Sequence, residues 1–128
     1  MQWDASPHAG FTSATPWLAV NPNHVEINAE AQRADPGSVF HHYRRLIELR
    51  HSEPAVVHGD FTMLLEEDER VYAFMRRWEG TELLVLGNFS GDEVPVDLPG
   101  WGDAEVVIGA AGDGLRPWES RVYRRYCR

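Results

Sequence analysis

The chain has 128 residues, 43% hydrophobic and 25% charged, enough for one folded domain with an appendage and too apolar for a chain that stays unfolded. Twenty carboxylates against twelve basic residues leave a net charge of −8, which disfavours phosphate backbones and anionic lipid surfaces as partners. A single cysteine, Cys127, rules out an internal disulfide, and no apolar run approaches the roughly 20 residues that span a bilayer.

Met1-Gln2-Trp3-Asp4 lacks the basic and apolar regions of a secretory signal, so a cytoplasmic location is expected. Residues 1–34 show neither helical nor strand periodicity, and Pro7, Pro16 and Pro22 punctuate them. A loop of that length belongs to a functional surface or covers a larger body. Residues 35–52 read as a helix: Asp35 suits the N-cap, Pro36 the first turn, and Val39, Phe40, Tyr43, Leu46 and Ile47 fall on one apolar stripe, with Pro54 as the stop.

From residue 55 onward the pattern is β. Short strands are expected at 55–58, 61–65, 71–78, 82–89, 93–98, 105–108, 115–118 and 120–126. Turn signals such as Gly59-Asp60, Gly80, Ser90-Gly91-Asp92 and Pro99-Gly100-Trp101-Gly102 separate them. Leu83 and Val85 point one way while Leu84 and Leu86 point the other, which places that strand in the middle of a sheet. Short strands with frequent turns give a mainly β fold, an antiparallel β-sandwich, preceded by an irregular loop and one α-helix.

Few residues offer chemistry of their own. His41 and His42 are adjacent on a helix, diverge by about 100° and cannot share an ion. His8 and His24 have no cysteine or clustered carboxylate at ligand spacing, so no metal and no cofactor is expected. A glycosidase pair needs two carboxylates about 5–9 Å apart, and Asp4 and Glu26 are the acids in the irregular segment. Five tryptophans raise a second possibility, a sugar-binding module that stacks pyranose rings on exposed indoles, with Trp101 in its turn the foremost candidate.

Several dispersed motifs then occur in order. Met-Gln-Trp-Asp (1–4), His-Ala-Gly-Phe-Thr (8–12), Pro-Trp-Leu (16–18), Val-Asn-Pro-Asn (20–23) and Glu-Ile-Asn (26–28) resemble glycoside hydrolase family thirteen, in its oligo-1,6-glucosidase and α-glucosidase branch. Asp-Pro-Gly-Ser-Val (35–39) and Tyr-Arg-Arg-Leu-Ile-Glu-Leu-Arg (43–50) are similar to the last helix of that family's (β/α)8 barrel. Gly-Asp-Phe (59–61), Leu-Leu-Val-Leu-Gly-Asn-Phe-Ser (83–90) and Leu-Arg-Pro-Trp-Glu-Ser-Arg-Val-Tyr (115–123) are similar to its C-terminal antiparallel domain.

The resemblance implies a remnant of the barrel end over 1–52 (loop 1–34, helix 35–52) and an α-amylase-type C-terminal domain over 53–128. It also implies that the family's nucleophile, acid/base and third acid lie upstream of Met1, so no catalytic residue is expected here. Oligosaccharide would be met only in the context of the full enzyme. Trp3, Asp4 and Phe11 are the residues expected to approach substrate, and the 35–52 helix face is a surface for self-association.

Overall fold

The computed structural model describes residues 1–97 and 99–127. The chain forms two units, Met1–His51 and Ser52–Arg128.

The first unit is built from short helical turns. Two 3-10 turns, Pro7–Gly10 and Pro22–Val25, each begin with proline, whose fixed φ suits that position. Helix α1 (Ala29–Ala34) starts at Asn28, whose Oδ1 accepts from the Ala31 N–H at 2.9 Å while its Nδ2 donates to the His24 carbonyl at 2.8 Å. Helix α2 spans Val39–Ser52, so the expected start at residue 35 is four residues early. Ser38, buried, occupies the capping position, with its Oγ 3.5 Å from the His41 nitrogen. Asp35 instead ends α1 and turns the chain by accepting from the Gly37 N–H at 2.9 Å. The stripe residues Val39, Phe40, Tyr43 and Ile47 are exposed.

The second unit is an antiparallel sandwich. Its large sheet has the order β1-β2-β3-β7-β5, formed by β1 (Asp60–Leu64), β2 (Val71–Trp78), β3 (Thr81–Asn88), β7 (Ser120–Tyr126) and β5 (Glu105–Ile108). A two-stranded sheet pairs β4 (Val94–Pro95) with β6 (Gly114–Leu115). The core between the sheets contains Val71, Ala73, Leu84, Leu86, Val94, Leu115 and Trp101. Strand β3 is central as expected, because Leu83 on the opposite face is also buried. The strand expected at 93–98 is shorter, and its last residue, Leu98, lies outside the described residues, as does Arg128 at the end of the expected 53–128 domain.

The strand expected at 55–58 is instead helix α3 (Pro54–His58). Glu53 caps it, Pro54 opens it, and Arg76 of β2 donates to the Ala55 carbonyl at 3.0 Å and to the Gly59 carbonyl. Four apolar residues satisfy either period, and the cap decides the outcome.

Candidate functional site

Residues 1–12 contain two adjacent non-glycine residues at positive φ. Segment 1–4 is held against the start of α1: the Ala29 and Glu30 N–H groups donate to the carbonyls of Gln2 and Trp3, each at 2.9 Å. The Gln2 amide nitrogen reaches Asn23 Oδ1 at 3.1 Å and also the Ile27 carbonyl. These bonds satisfy backbone groups at the helix start and fix the direction of Trp3 and Asp4.

Three consecutive residues, His8, Ala9 and Gly10, take φ of +58°, +57° and +65°. Two of them carry a Cβ, and each such residue costs about 1–2 kcal/mol in that region. The turn persists because Ala9 is buried, its N–H donates to the Ser6 carbonyl and its carbonyl accepts from the Trp3 N–H, both at 2.9 Å. Strained turns cluster where a side chain must be presented in one direction.

The group that lies against this turn is Asp4. Its carboxylate accepts from the Ser6 hydroxyl and from the Ser6 N–H at 2.9 Å, and it lies against Gly10. The Ser6 hydroxyl and then the Ser6 N–H, with a smaller contribution from His24, hold the Asp4 carboxyl below the usual carboxylate value. It is a permanent acceptor at neutral pH and has no proton to give.

A Cβ at Gly10 would meet Asp4 Oδ2 at 2.5 Å and Cγ at 2.8 Å. Gly10→Ala will therefore cost about 1–2 kcal/mol in the turn and displace the carboxylate. Hydrogen exchange should report faster opening of the Trp3 and Ala9 amides, with strand amides of the second unit unaffected.

The three residues expected to approach substrate, Trp3, Asp4 and Phe11, do not line one common hollow. Trp3 and Asp4 line a hollow of about 650 Å³ with Glu30, Arg33 and Phe40. Phe11 lines a separate hollow of about 510 Å³ with His8, Pro16, Trp17 and Leu18. Glu26 lines neither, so it makes no carboxylate pair with Asp4 there. Trp17, Glu30 and Arg33 also line these hollows; of the three only Trp17 stands in a motif, Pro16-Trp17-Leu18, and no local pattern marks Glu30 or Arg33. Among the described residues no three His, Cys, Asp or Glu side chains gather at metal-binding distance.

Trp101 is not the exposed stacking surface expected for a sugar-binding module. It is 8% exposed and packs in the sandwich core. The Arg125 guanidinium lies over its ring at 4.1 Å from the centroid, occupying the face a sugar would need.

The first 59 residues match the profile described as the α-amylase catalytic domain, and residues 61–112 match that of the maltogenic amylase C-terminal domain. The oligo-1,6-glucosidase of Halalkalibacterium halodurans (strain C-125) is 40% identical over 96% of the chain. The trehalose-6-phosphate hydrolase of Bacillus subtilis (strain 168) is 39% identical over 97%. Among solved structures, the trehalose-6-phosphate hydrolase of Bacillus licheniformis superimposes with a TM-score of 0.87 at 38% identity over 96% of the chain. The trehalulose synthase MutB of Pseudomonas mesoacidophila MX-45 also gives 0.87, at 38% identity over 96%. The chain spans 24% of the length of each of these relatives. Among the described residues no helix is long and apolar enough to cross a membrane.

Proposed function

We propose, on the premise that the chain belongs to glycoside hydrolase family thirteen and matches the C-terminal part of its oligo-1,6-glucosidase-like members, that it is the non-catalytic portion of an enzyme hydrolysing α-glucosidic bonds in short oligosaccharides. Residues 1–52 are read as the last loop and helix of the barrel, and 53–128 as the domain that supports it. Barrel enzymes react at the mouth formed by the loops after their strands. Residues 1–34, expected as a loop but ending in helix α1, are read as the segment lying there.

The observation that carries this reading is the consecutive match of the two family profiles to residues 1–59 and 61–112, with Asp4 lying against the strained turn within the first. In this role Asp4 accepts a hydrogen bond from a sugar hydroxyl, and the half-exposed rings of Trp3 and Phe11 offer apolar faces to pyranose C–H groups. Bond cleavage itself needs two further acids supplied by the rest of the barrel. The exposed stripe Val39, Tyr43 and Ile47 is a surface that the barrel covers and through which the isolated chain self-associates. A cytoplasmic enzyme fits the single cysteine.

The test is a chimera in which this whole chain replaces the matching C-terminal quarter of the Halalkalibacterium halodurans enzyme. It should hydrolyse p-nitrophenyl α-glucoside and sediment without the concentration dependence expected of the 128-residue chain alone. That shorter chain should show no turnover. A chimera that fails to fold or to turn over substrate would overturn the reading, as would glucosidase activity in the 128-residue chain that vanishes on changing one of its own acids.

A further inference from the structure

The sandwich unit carries a hollow of about 230 Å³ between its two sheets. The topology explains it. Five strands form one layer, whereas the opposing sheet has two strands of two residues each, so irregular residues such as Val96, Trp101 and Gly112 complete the second layer. Close-packed interiors hold few voids larger than a water molecule, and this one is several times that size. Gly112 leaves part of the wall open although its backbone does not require glycine: its φ lies outside the left-handed region, and a Cβ there would approach nothing nearer than Arg121 Nη2 at 3.8 Å.

The floor is apolar, made by the buried residues Leu84 and Leu86 of β3 and Leu115 of β6, with Trp101 as a side wall. Asp97 and Asp113 stand on the exposed rim and offer carboxylate acceptors. The Tyr123 hydroxyl oxygen accepts from Arg121 Nη1 at 2.9 Å, which leaves the hydroxyl hydrogen to be donated. Arg121 also lines the hollow but has no donor to spare: Nε reaches Glu119 at 3.3 Å, and Nη1 and Nη2 are taken by Gly112, Gly114, Glu119 and Tyr123. An apolar floor with a few polar groups around it is the make-up of a small-molecule site.

We propose that this hollow binds a neutral polyhydroxylated molecule of monosaccharide size. Either charge meets opposition there. An anion faces Asp97 and Asp113 and finds every Arg121 donor engaged. A cation faces the Arg121 guanidinium, and both rings already carry a cation: Arg125 lies 4.1 Å from the Trp101 centroid and Arg121 lies 5.9 Å from that of Tyr123. A polyol instead donates hydroxyls to the two carboxylates, accepts from Tyr123 and rests its C–H groups on the leucines. The volume falls below the roughly 300–1,000 Å³ of sites for drug-sized ligands, which limits the occupant to one sugar ring. None of these residues belongs to the Asp4 segment, so the site stands independently of the glucosidase reading.

Titration of the isotope-labelled 128-residue chain with D-glucose, followed by heteronuclear NMR, tests the site. The amide resonances of Gly112, Gly114 and Tyr123 should shift and saturate. Glucosamine, glucose 6-phosphate and maltotetraose should each bind about tenfold more weakly, through added positive charge, added negative charge and added length. G112L, which places a side chain beside Arg121, should abolish the shifts, and D97N/D113N should weaken binding about fivefold. Unchanged amide resonances in β2 and β3 verify that each variant is folded; if G112L unfolds, the rim pair D97N/D113N carries the test. The proposal is overturned by the absence of saturable shifts with glucose, by shifts that persist undiminished in the folded variants, or by tighter binding of a charged sugar or of maltotetraose. Each of these results leaves the glucosidase reading to be decided by the activity of the chimera.

Discussion

Replacing Arg121 by methionine will lower the unfolding free energy of the sandwich unit by about 3–5 kcal/mol, measured by urea unfolding followed by far-ultraviolet circular dichroism. Arg121 is 3% exposed, and its guanidinium has a partner in every direction. Nη1 donates to the Gly112 carbonyl at 2.7 Å and to the Tyr123 hydroxyl at 2.9 Å; Nη2 donates to the Gly114 carbonyl at 2.9 Å and to Glu119 Oε1 at 3.0 Å. Burial lowers the Arg121 pKa, but Tyr123 and Glu119 outweigh it and raise the value, so the charge is fixed. Methionine has comparable length and removes every one of these donors. Glu119 then keeps only Arg116, whose N–H donates at 2.8 Å, and is left as an under-compensated charge in the interior. The carbonyls of Gly112 and, in β6, Gly114 lose this donor as well, each costing about 1–3 kcal/mol if water cannot reach it. The double variant R121M/E119L removes both charges and should recover part of the loss. A loss below about 1 kcal/mol in R121M would mean that solvent enters the cluster freely and the bonds contribute little.

The strands were readable where period and punctuation agreed. Residues 71–78, 105–108 and 120–126 are runs rich in β-branched and aromatic residues bounded by turn residues, and the structure places β2, β5 and β7 on those spans. Short apolar runs next to a cap were not readable, because Ala55-Val56-Val57-His58 satisfies a strand and one helical turn equally; Glu53 and Pro54 tip it to α3. At the start of α2 the dipeptide Asp35-Pro36 imitates a helix entry, yet Asp35 is consumed by ending α1.

Trp101 shows a different limit. The cation over its ring comes from Arg125, 24 positions along the chain and on β7, and no local pattern reports such a partner. The candidate site was legible as a list of residues and not as a geometry. Trp3, Asp4 and Phe11 stand in the motifs that carry the family resemblance, but the left-handed turn that sends Phe11 to a different hollow lies in the φ of His8 and Ala9. Alanine does not announce a positive φ, and histidine does so only as a modest enrichment.

Glu82 is another buried charge of the sandwich unit, and Glu82→Gln should cost about 2–4 kcal/mol and flatten the acid side of the stability profile. Its side chain is fully buried at the start of β3, with Arg77 Nε donating to Oε1 at 2.6 Å and Arg125 Nε donating to Oε2 at 2.6 Å. The Cys127 thiol adds a further hydrogen bond. Burial pushes the Glu82 carboxyl up, but Arg125, Arg77 and Cys127 outweigh it and hold the pKa below the ordinary 4.5. Glutamine preserves the volume and can accept at one oxygen only, so two guanidiniums face each other without a neutralising charge. Both arginine side chains reach solvent in part, which tempers the repulsion and puts the expected loss below that of a fully enclosed pair.

The sign of the pH effect follows from the depressed pKa. The unfolded chain binds the proton more readily than the folded one, so the stabilisation is complete above the unfolded value near 4.5 and is lost as pH falls through the lower folded value. The wild-type sandwich should therefore lose stability steeply on acidification below that point, and E82Q should lose it less steeply. Glu119, pushed up by burial but held below its ordinary value by Arg116 and Arg121, leaves a residual slope in the variant. Parallel wild-type and E82Q profiles between pH 7 and pH 3 would mean that Glu82 contributes equally in both protonation states, which the two-arginine geometry forbids.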